Sequence, residues 1–166
     1  RVPPMFHQER VGLGGLPFVL NKLRSLTVVE TSEMISVHSI ERKPHYKTTV
    51  SGKLWRVTSI DELPQFWNVI KGEMSLVGHR PFPYYYIPIL YELPNLDKSH
   101  IEVYLRILAL HKPGITSISS IRGRSKLSIQ EKMLCDVEYA QRASLLLDIS
   151  ILIRSLKTVI TMDGVQ

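Results

Sequence analysis

The clearest hydrophobic periodicity in the chain runs through residues 59–71. Leu63, Phe66, Trp67 and Ile70 follow the i, i+3, i+4, i+7 spacing of one helix face. This spacing predicts a helix over 59–71. Its apolar stripe is expected to be buried, with core packing preferred for Trp67.

Two start signals compete for this helix. Ser59 and Glu62 have the S-x-x-E spacing of a capping box. Alternatively, Asp61 caps the helix, which places Pro64 in the first turn, where a missing N–H costs least. Both alternatives put the carboxylates of Asp61 and Glu62 at the positive end of the helix.

The rest of the pattern predicts an α/β (α+β) fold, a mostly helical globule around a small, short-stranded sheet. One domain is expected over residues 1–166. Alternating apolar and basic residues predict a strand over 17–26, after a glycine-rich hairpin turn at 11–17. A short buried strand is expected at 74–77. Further helices are predicted at 84–93, 101–110, 128–142 and 144–161, and a loop at 30–52.

The last two predicted helices differ in character. Ser128 and Glu131 repeat the capping-box spacing at the start of the first. The helix over 144–161 is dense in Leu, Ile and Val, but charged residues such as Asp148 interrupt it. It is therefore not expected to span a bilayer. Core packing is preferred for it, and lying on a membrane surface as an amphipathic helix is the alternative.

The charge of the chain narrows its partners. Lys and Arg number 21 against 15 Asp and Glu, a formal net charge of +6. This surplus favours phosphorylated substrates, acidic lipids or nucleic acid. Because no helix-turn-helix or RNP-like pattern occurs, no nucleic-acid partner is expected. The single cysteine, Cys135, excludes an intramolecular disulfide and is expected to be a small helical side chain. The scattered histidines give little support to a zinc site.

The adjacent carboxylates of Asp61 and Glu62 are the strongest candidates for chemistry. A helix start attracts phosphate through its free N–H groups. Two carboxylates there repel phosphate unless a divalent cation intervenes. Mg²⁺ suits such a site, since it binds one or two carboxylates and completes its shell with phosphate oxygens and water. One carboxylate is then able to attack phosphorus. Helix capping alone is the alternative explanation of the pair.

Basic residues in or beside turns are the candidates for binding phosphate oxygens, which arginine's fork holds in pairs. The first two alternate along the predicted strand and are expected on one face of it. The next two bracket the acidic pair in the sequence. The set is Lys22, Arg24, Arg56, Arg80, Arg122 and Arg124.

Four stretches of the sequence carry a family resemblance: FHQERVGLGGLPFVLNKLRSL, RVTSIDELPQFWNVIKGEMSLVGHRP, KPGITSISSIRGRSKLS and EKMLCDVEYAQRASLLLDISILIRSLKTVI. With them the chain resembles, almost end to end, the bacterial sugar transferase family. These are the monotopic polyprenyl-phosphate phosphoglycosyl transferases that start exopolysaccharide, O-antigen (lipopolysaccharide) and capsule assembly. The second stretch is highly specific for that family.

The resemblance implies a two-step phosphosugar transfer. Asp61 matches the nucleophile that attacks the β-phosphorus of a UDP-sugar, releasing UMP and leaving an aspartyl-phosphosugar. Polyprenyl (undecaprenyl) phosphate then takes the phosphosugar. Glu62 matches a ligand of Mg²⁺, the implied cofactor, with Asp61 beside it in the metal site. The matching substrate-binding positions are Lys22, Arg24, Arg56, Arg80 and Arg124, the last being the candidate for the nucleotide sugar.

The resemblance also implies a place at the cytoplasmic face of the bacterial inner membrane. The family's N-terminal membrane helix precedes the matched residues, so a domain truncated at its N-terminus is expected. A homodimer is compatible with these expectations. The chain departs from the family at His79, where proline is usual, and at Ser117, Ser120 and Arg122, which replace glycine, glutamine and asparagine. The alternative function is a catalytically degenerate paralogue that binds partners in a polysaccharide assembly complex.

Overall fold

The computed structural model describes residues 3–28, 46–48, 50–93, 96–123 and 126–161. Within these ranges short two-stranded ladders are combined with helices, which confirms the predicted mostly helical α/β fold. The strands are β1 (Met5–Val11), β2 (Pro17–Leu23), β3 (Leu26–Val28), β4 (Tyr46–Thr48), β5 (Ser75–Val77) and β6 (Gly114–Thr116). The helices are α1 (Val50–Thr58), α2 (Gln65–Ile70), α3 (Ile87–Leu90), α4 (Lys98–Leu110), α5 (Ile118–Arg122), α6 (Ile129–Arg142) and α7 (Leu145–Thr161).

The strands β1 and β2 form an antiparallel hairpin in which Val11 pairs with Pro17. A 3-10 turn joins them, and Gly14 and Gly15 in it both have φ of +74°. Only glycine adopts that backbone region without strain, so the predicted glycine-rich hairpin turn is confirmed. The predicted strand over 17–26 ends early, at Leu23, and β3 then pairs with β4 in a separate antiparallel ladder.

The parallel pair β5 and β6 fixes the turn that carries Arg80. A Cβ atom on Gly78 would lie 2.7 Å from the backbone nitrogen of Gly114, so the two backbones meet where neither has a side chain. His79 is fully buried behind them. Its Nε2 lies 2.9 Å from the carbonyl oxygen of His111 and its Nδ1 3.1 Å from that of Arg80. The turn after β5 is therefore tied to the end of α4.

Three hydrophobic clusters make up the described core. The first packs α4 and the start of α6 against the end of β1, and the second packs α6 and α7 against β5. The buried members are Val11, Leu90, Ile101, Tyr104, Leu108 and Met133 in the first, Val77, Ile118, Cys135, Tyr139 and Ile151 in the second, and Phe18, Leu20 and Met74 in the third. The expectation that Cys135 is a small helical side chain is confirmed, and it is buried in α6.

The segment before α2 differs from both predicted helix starts. Ser59 has φ of +57° and its side chain makes no capping hydrogen bond, so the capping box predicted with Glu62 is wrong. Asp61 does not cap α2 either, because Pro64 occupies the N-cap position. Instead a 3-10 turn, Ile60–Glu62, separates α1 from α2. Residues 50–52, which were predicted as loop, belong to α1.

The apolar stripe of α2 lies on the outside, which contradicts the prediction that it is buried. Leu63, Phe66, Trp67 and Ile70 are 55%, 47%, 57% and 74% exposed. The opposite, polar face is the buried one, and Asn68 is at its centre. The Nδ2 of Asn68 donates to the carbonyl oxygen of Val19 at 2.7 Å, and its Oδ1 accepts from the backbone and side-chain nitrogens of Asn21 at 3.2 Å. Hydrogen bonds therefore attach α2 to β2.

The helix α7 also turns apolar side chains outward, so the preferred prediction of core packing is wrong for most of it. Ile151 is its buried residue, whereas Leu145, Leu146 and Ile160 are 75%, 81% and 78% exposed. In the described ranges no helix has the length and apolar character needed to cross a bilayer. Both α2 and α7 are therefore amphipathic helices whose apolar sides have no protein covering in the described chain.

Candidate active site

Asp61 is held in the 3-10 turn between α1 and α2 and is 8% exposed. The hydroxyl of Ser25 donates to Asp61 Oδ2 at 3.3 Å. Burial raises the pKa of Asp61 above its usual value and the charge of Glu62 adds to the rise, while Lys22 opposes it. The turn thus holds a poorly solvated carboxylate in a fixed position, which suits a nucleophile.

Glu62 is paired with a lysine from β2. The Nζ of Lys22 lies 2.7 Å from Glu62 Oε1, and the two side chains are 22% and 30% exposed. The hairpin therefore brings the predicted phosphate-binding residue Lys22 to the acidic pair. Arg56, in the last turn of α1, is exposed, and its charge helps to lower the pKa of Asp61.

A cleft beside Glu62, which we call the Glu62 cleft, gathers residues from distant parts of the chain. Lys22, Glu62, Arg80, Arg10, Ser117 and Ser120 line it. Of the sequence candidates, Lys22, Glu62 and Arg80 thus lie together, and Asp61 and Arg56 are next to them. One carboxylate pair faced by basic side chains is an arrangement suited to phosphoryl transfer.

Two of the described sequence candidates are not brought to this cleft. Arg24 turns away because β2 ends before it: its Nε donates to the carbonyl oxygen of Pro3 at 2.9 Å, and its guanidinium lies over the ring of Phe6. Because Phe6 pairs with Lys22 across the hairpin, this contact keeps Arg24 on the face of Lys22, but Arg24 does not line the Glu62 cleft. Arg122 pairs with Glu138, to which its Nη2 donates at 2.8 Å. Arg124 lies outside the described residues.

Serine hydroxyls form the wall of the Glu62 cleft at the start of α5. Ser117 caps that helix by accepting a hydrogen bond from the backbone N–H of Ser120 at 3.2 Å. Its Oγ also lies 2.9 Å from the hydroxyl oxygens of Ser119 and Ser120. Ser117 and Ser120 are two of the positions at which the sequence departs from the family's usual pattern. They present hydroxyl groups to the cleft.

Sequence reasoning missed two residues of this region, Arg10 and Asp136. The Nη1 of Arg10 donates to the carbonyl oxygen of Pro81 at 2.7 Å. Asp136 is buried, and it accepts the backbone N–H of Arg80 at 3.1 Å and the hydroxyl of Tyr104 at 3.0 Å. No spacing in the sequence predicts the contacts of Arg10. The one available signal for Asp136 was its acidic side chain on the buried face of the helix predicted over 128–142.

The donor atoms of the acidic pair fit a magnesium ion. In the described part of the chain no group of three or more His, Cys, Asp or Glu side chains could hold a metal alone. Mg²⁺ does not need such a group, because one or two carboxylates suffice when phosphate oxygens and water complete its shell. Asp61 and Glu62 are adjacent, and burial, with a smaller contribution from the charge of Glu62, raises the pKa of Asp61. A cation would stabilise the charged form of that carboxylate.

We predict that Asp136 makes the stability of the protein depend on pH. Burial raises its pKa from 3.8 to about 7, because the charged form is poorly solvated. Between these values the folded state binds more protons than the unfolded state, so the free energy of unfolding falls as pH rises. Asp136→Asn should remove this contribution. Urea unfolding of both proteins across the range from pH 4.5 to pH 8 measures the difference.

An exposed aspartate provides the control for that measurement. Ser99 lowers the pKa of Asp97 by hydrogen bonding, so the contribution of Asp97 to stability is lost only below the usual aspartate pKa, at pH values under this range. Asp97→Asn should therefore leave the slope between pH 4.5 and pH 8 unchanged. Equal pH slopes for the wild type and Asp136→Asn would contradict the assignment.

The sequence profile of the bacterial sugar transferase family matches residues 1–162. The sugar transferase EpsL of Bacillus subtilis, whose function is uncharacterised, is 38% identical over 99% of the chain and 73% of its own length. The galactosyl transferase CpsE of Streptococcus agalactiae is 36% identical over 99% of the chain and 36% of its own length. The UDP-glucose:undecaprenyl-phosphate glucose-1-phosphate transferase of Caulobacter vibrioides is 34% identical over 98% of the chain and 58% of its own length.

A cleft with basic side chains beside the carboxylates of Asp61 and Glu62 is an arrangement suited to phosphoryl chemistry. The match over nearly the whole chain then identifies the protein more closely: it belongs to the bacterial sugar transferase family. The chain covers less than two thirds of the length of CpsE and of the Caulobacter transferase.

Proposed function

We propose that this chain is the catalytic domain of a polyprenyl-phosphate phosphoglycosyl transferase. It transfers a phosphosugar from a UDP-sugar to undecaprenyl phosphate and releases UMP. The observation that carries the proposal is that Glu62, Lys22 and Arg80 line one cleft, with Asp61 adjacent to Glu62 and within the electrostatic reach of Lys22. Two relatives support it: the UDP-glucose:undecaprenyl-phosphate glucose-1-phosphate transferase of Caulobacter vibrioides and the undecaprenyl-phosphate galactose phosphotransferase of Salmonella typhimurium.

In the first step a carboxylate oxygen of Asp61 attacks the β-phosphorus of the UDP-sugar. The bond from that phosphorus to the bridging oxygen breaks, and UMP leaves with the oxygen. In the second step a phosphate oxygen of the polyprenyl phosphate attacks the same phosphorus, and the bond to Asp61 breaks. The products are the polyprenyl-diphosphate sugar and the regenerated carboxylate. No net proton transfer is needed, and the soluble and lipid substrates use one site in turn.

The chain's own residues prepare the first step. Ser25 donates a hydrogen bond to Oδ2 of Asp61 and so helps the 3-10 turn to fix the orientation of the carboxylate. The other carboxylate oxygen is then left to attack phosphorus. Lys22 and Arg80 bind phosphate oxygens and offset their charge, and Arg56 adds positive charge near the pair. Mg²⁺, held by Glu62 with Asp61, would supply further charge neutralisation of the diphosphate.

We further propose that the exposed apolar sides of α2 and α7 rest on the cytoplasmic face of the inner membrane. The apolar side of α2 begins one residue after Glu62, so the carboxylate pair would lie near the lipid headgroups. A polyprenyl phosphate could then reach Asp61 with its chain still in the bilayer. Apolar side chains of this kind bury themselves at the headgroup boundary.

Spin labelling tests this orientation. We expect a nitroxide at Ile70→Cys, in full-length protein in nanodiscs with Cys135→Ala, to be more accessible to oxygen than to a water-soluble relaxant. Val103→Cys on α4 is the matched control, since Val103 is also apolar and 55% exposed. A label there should show the opposite preference. If both labels prefer the water-soluble relaxant, α2 does not lie on the membrane.

The function itself is tested by UMP release. The full-length membrane form is incubated with a panel of UDP-sugars, undecaprenyl phosphate and Mg²⁺, and UMP is quantified with and without EDTA. Metal-dependent UMP release from at least one UDP-sugar is expected. If no sugar in the panel gives it, the chain is a degenerate, partner-binding member of the family.

A further inference from the structure

Arg10 and Arg80 place two positive charges together, and Asp136, a described carboxylate that interacts electrostatically with Arg80, forms no salt bridge with it. Arg10 is half-buried, and its guanidinium donates to Pro81 and Gln8, but its buried Nε has no hydrogen-bond partner among the described residues. In the described ranges no carboxylate forms a salt bridge with either arginine. Burial and then the like charge of Arg80 lower the pKa of Arg10 to about 10. An anion is the ligand that would relieve this arrangement.

These two arginines lie at the boundary between the Glu62 cleft and a second cleft. The second cleft has a volume of about 280 Å³, and both arginines line it as well. Its other walls are mostly apolar, and we call it the aromatic cleft. They include Phe82, Tyr86, Tyr104, Ile129 and Met133.

The aromatic side chains are held rigidly. Phe82 packs edge to face against Tyr86, with ring centroids 5.9 Å apart, and against Tyr104, with centroids 5.8 Å apart. The hydroxyl of Tyr104 is fixed by Asp136, which also binds the backbone of Arg80. Because one carboxylate fixes both an aromatic wall and an arginine, the two parts of the cleft are preorganised together.

We propose that Arg10 and Arg80 bind the α-phosphate of the sugar nucleotide and that the aromatic cleft takes its nucleoside. This inference rests on the proposed function. The reacting β-phosphorus must lie in the Glu62 cleft near Asp61, and the α-phosphate is one bridging oxygen away. Arg10 and Arg80 line both clefts and are therefore placed to bind the α-phosphate. The nucleoside attached to the α-phosphate then lies in the aromatic cleft, and UMP departs from that cleft.

Size and surroundings favour a nucleoside over an isoprenoid chain. The volume of about 280 Å³ is at the low end for ligand pockets, which suits one compact group. Aromatic side chains stack on nucleobases of any kind, because every base has a π-face. None of the described residues that line the cleft belongs to α1, α2 or α7, where exposed apolar side chains offer a path for lipid.

Binding of UMP to the full-length protein in nanodiscs, measured by isothermal titration calorimetry, tests the inference. We expect Arg10→Gln to weaken UMP binding at least about tenfold, because a paired charge contact to phosphate is lost. Ile129→Trp should do the same by filling the aromatic cleft. Arg106→Gln, which changes an exposed arginine of α4, should bind UMP like the wild type. Melting temperatures establish whether each variant is folded. If Arg10→Gln does not fold, Ile129→Trp still tests the inference.

The outcomes separate this inference from the proposed function. In steady-state assays both variants should raise the KM for the UDP-sugar and leave that for undecaprenyl phosphate unchanged. Wild-type UMP affinity in the folded variants would overturn the inference, and so would a rise confined to the KM for undecaprenyl phosphate. A wild type that binds UMP with this variant pattern but transfers no phosphosugar would overturn the proposed function alone. A wild type that transfers phosphosugar yet binds no UMP would overturn the inference alone.

Discussion

Asp61→Asn is expected to lower the rate of UMP release from a UDP-sugar by about 10⁴-fold or more, as loss of a covalent nucleophile usually does. An amide oxygen is too weak a nucleophile to displace UMP. The fold should be retained, because the substitution removes a carboxylate whose charged form is destabilised by burial. The melting temperature is therefore expected to stay the same or rise. Single-turnover UMP release and differential scanning fluorimetry measure the two effects.

The matched control is Asp97→Asn. Asp97 is an exposed aspartate that caps α4, and asparagine caps helices about as well as aspartate does. This variant should release UMP at the wild-type rate. UMP release by folded Asp61→Asn within about tenfold of wild type would remove Asp61 from the role of nucleophile.

Glu62→Gln is expected to lower the same rate by about 10² to 10³-fold, the usual loss when one charge-stabilising group is removed. Glutamine keeps the size of the side chain but loses the charge that pairs with Lys22 at 2.7 Å and that would attract Mg²⁺. The Mg²⁺ concentration needed for half-maximal rate should therefore rise. A magnesium titration of UMP release measures both the rate and this concentration.

Glu102→Gln, on the exposed side of α4, is the control and should leave the titration unchanged. A Glu62→Gln variant with a lowered rate but an unchanged magnesium midpoint would show that Glu62 acts through Lys22 rather than through a metal. Wild-type behaviour in both respects would contradict any role for Glu62.

The two S-x-x-E patterns show why local signals predict only part of the fold. Ser128 and Glu131 form the predicted capping box, with hydrogen bonds of 3.2 and 2.7 Å. Ser59 and Glu62 have the same spacing but form no capping box, because α1 ends just before them and leaves Ser59 in a left-handed conformation, with no capping hydrogen bond from its side chain. The start of α1 was predicted as loop and no helix was predicted over 53–58, so the end of α1 was not predicted.

The apolar stripes of α2 and α7 were recognised but assigned to the wrong surroundings. Periodicity reveals that a helix has an apolar face and not what covers it. In α2 the deciding contacts are polar ones, from Asn68 to Val19 and Asn21, and they are not visible in a hydrophobic pattern. For α7 a membrane surface was the stated alternative to core packing, whereas for α2 burial was the one expectation. Polar attachment of the kind seen in α2 leaves an apolar side available to a lipid surface.

The candidate site was predicted where it depends on neighbours in sequence and missed where it depends on topology. Asp61 and Glu62 are adjacent in the chain, and the family resemblance identified both. Lys22 reaches them because β2 runs past the 3-10 turn, whereas Arg24 lies beyond the end of that strand. Arg10 meets Arg80 only through pairing of β1 with β2 and the contact with Pro81, which no sequence spacing predicts.

Mass spectrometry shows directly whether Asp61 forms a covalent intermediate with the phosphosugar. Full-length protein is incubated with a UDP-sugar and Mg²⁺ without polyprenyl phosphate, quenched rapidly, and analysed intact and after proteolysis. If Asp61 is the nucleophile, the peptide that contains it gains the mass of one phosphosugar. This increase should disappear when undecaprenyl phosphate is added and should be missing in Asp61→Asn. Release of UMP with no phosphosugar on Asp61, or with the adduct on another residue, would contradict the role of Asp61 as the covalent nucleophile.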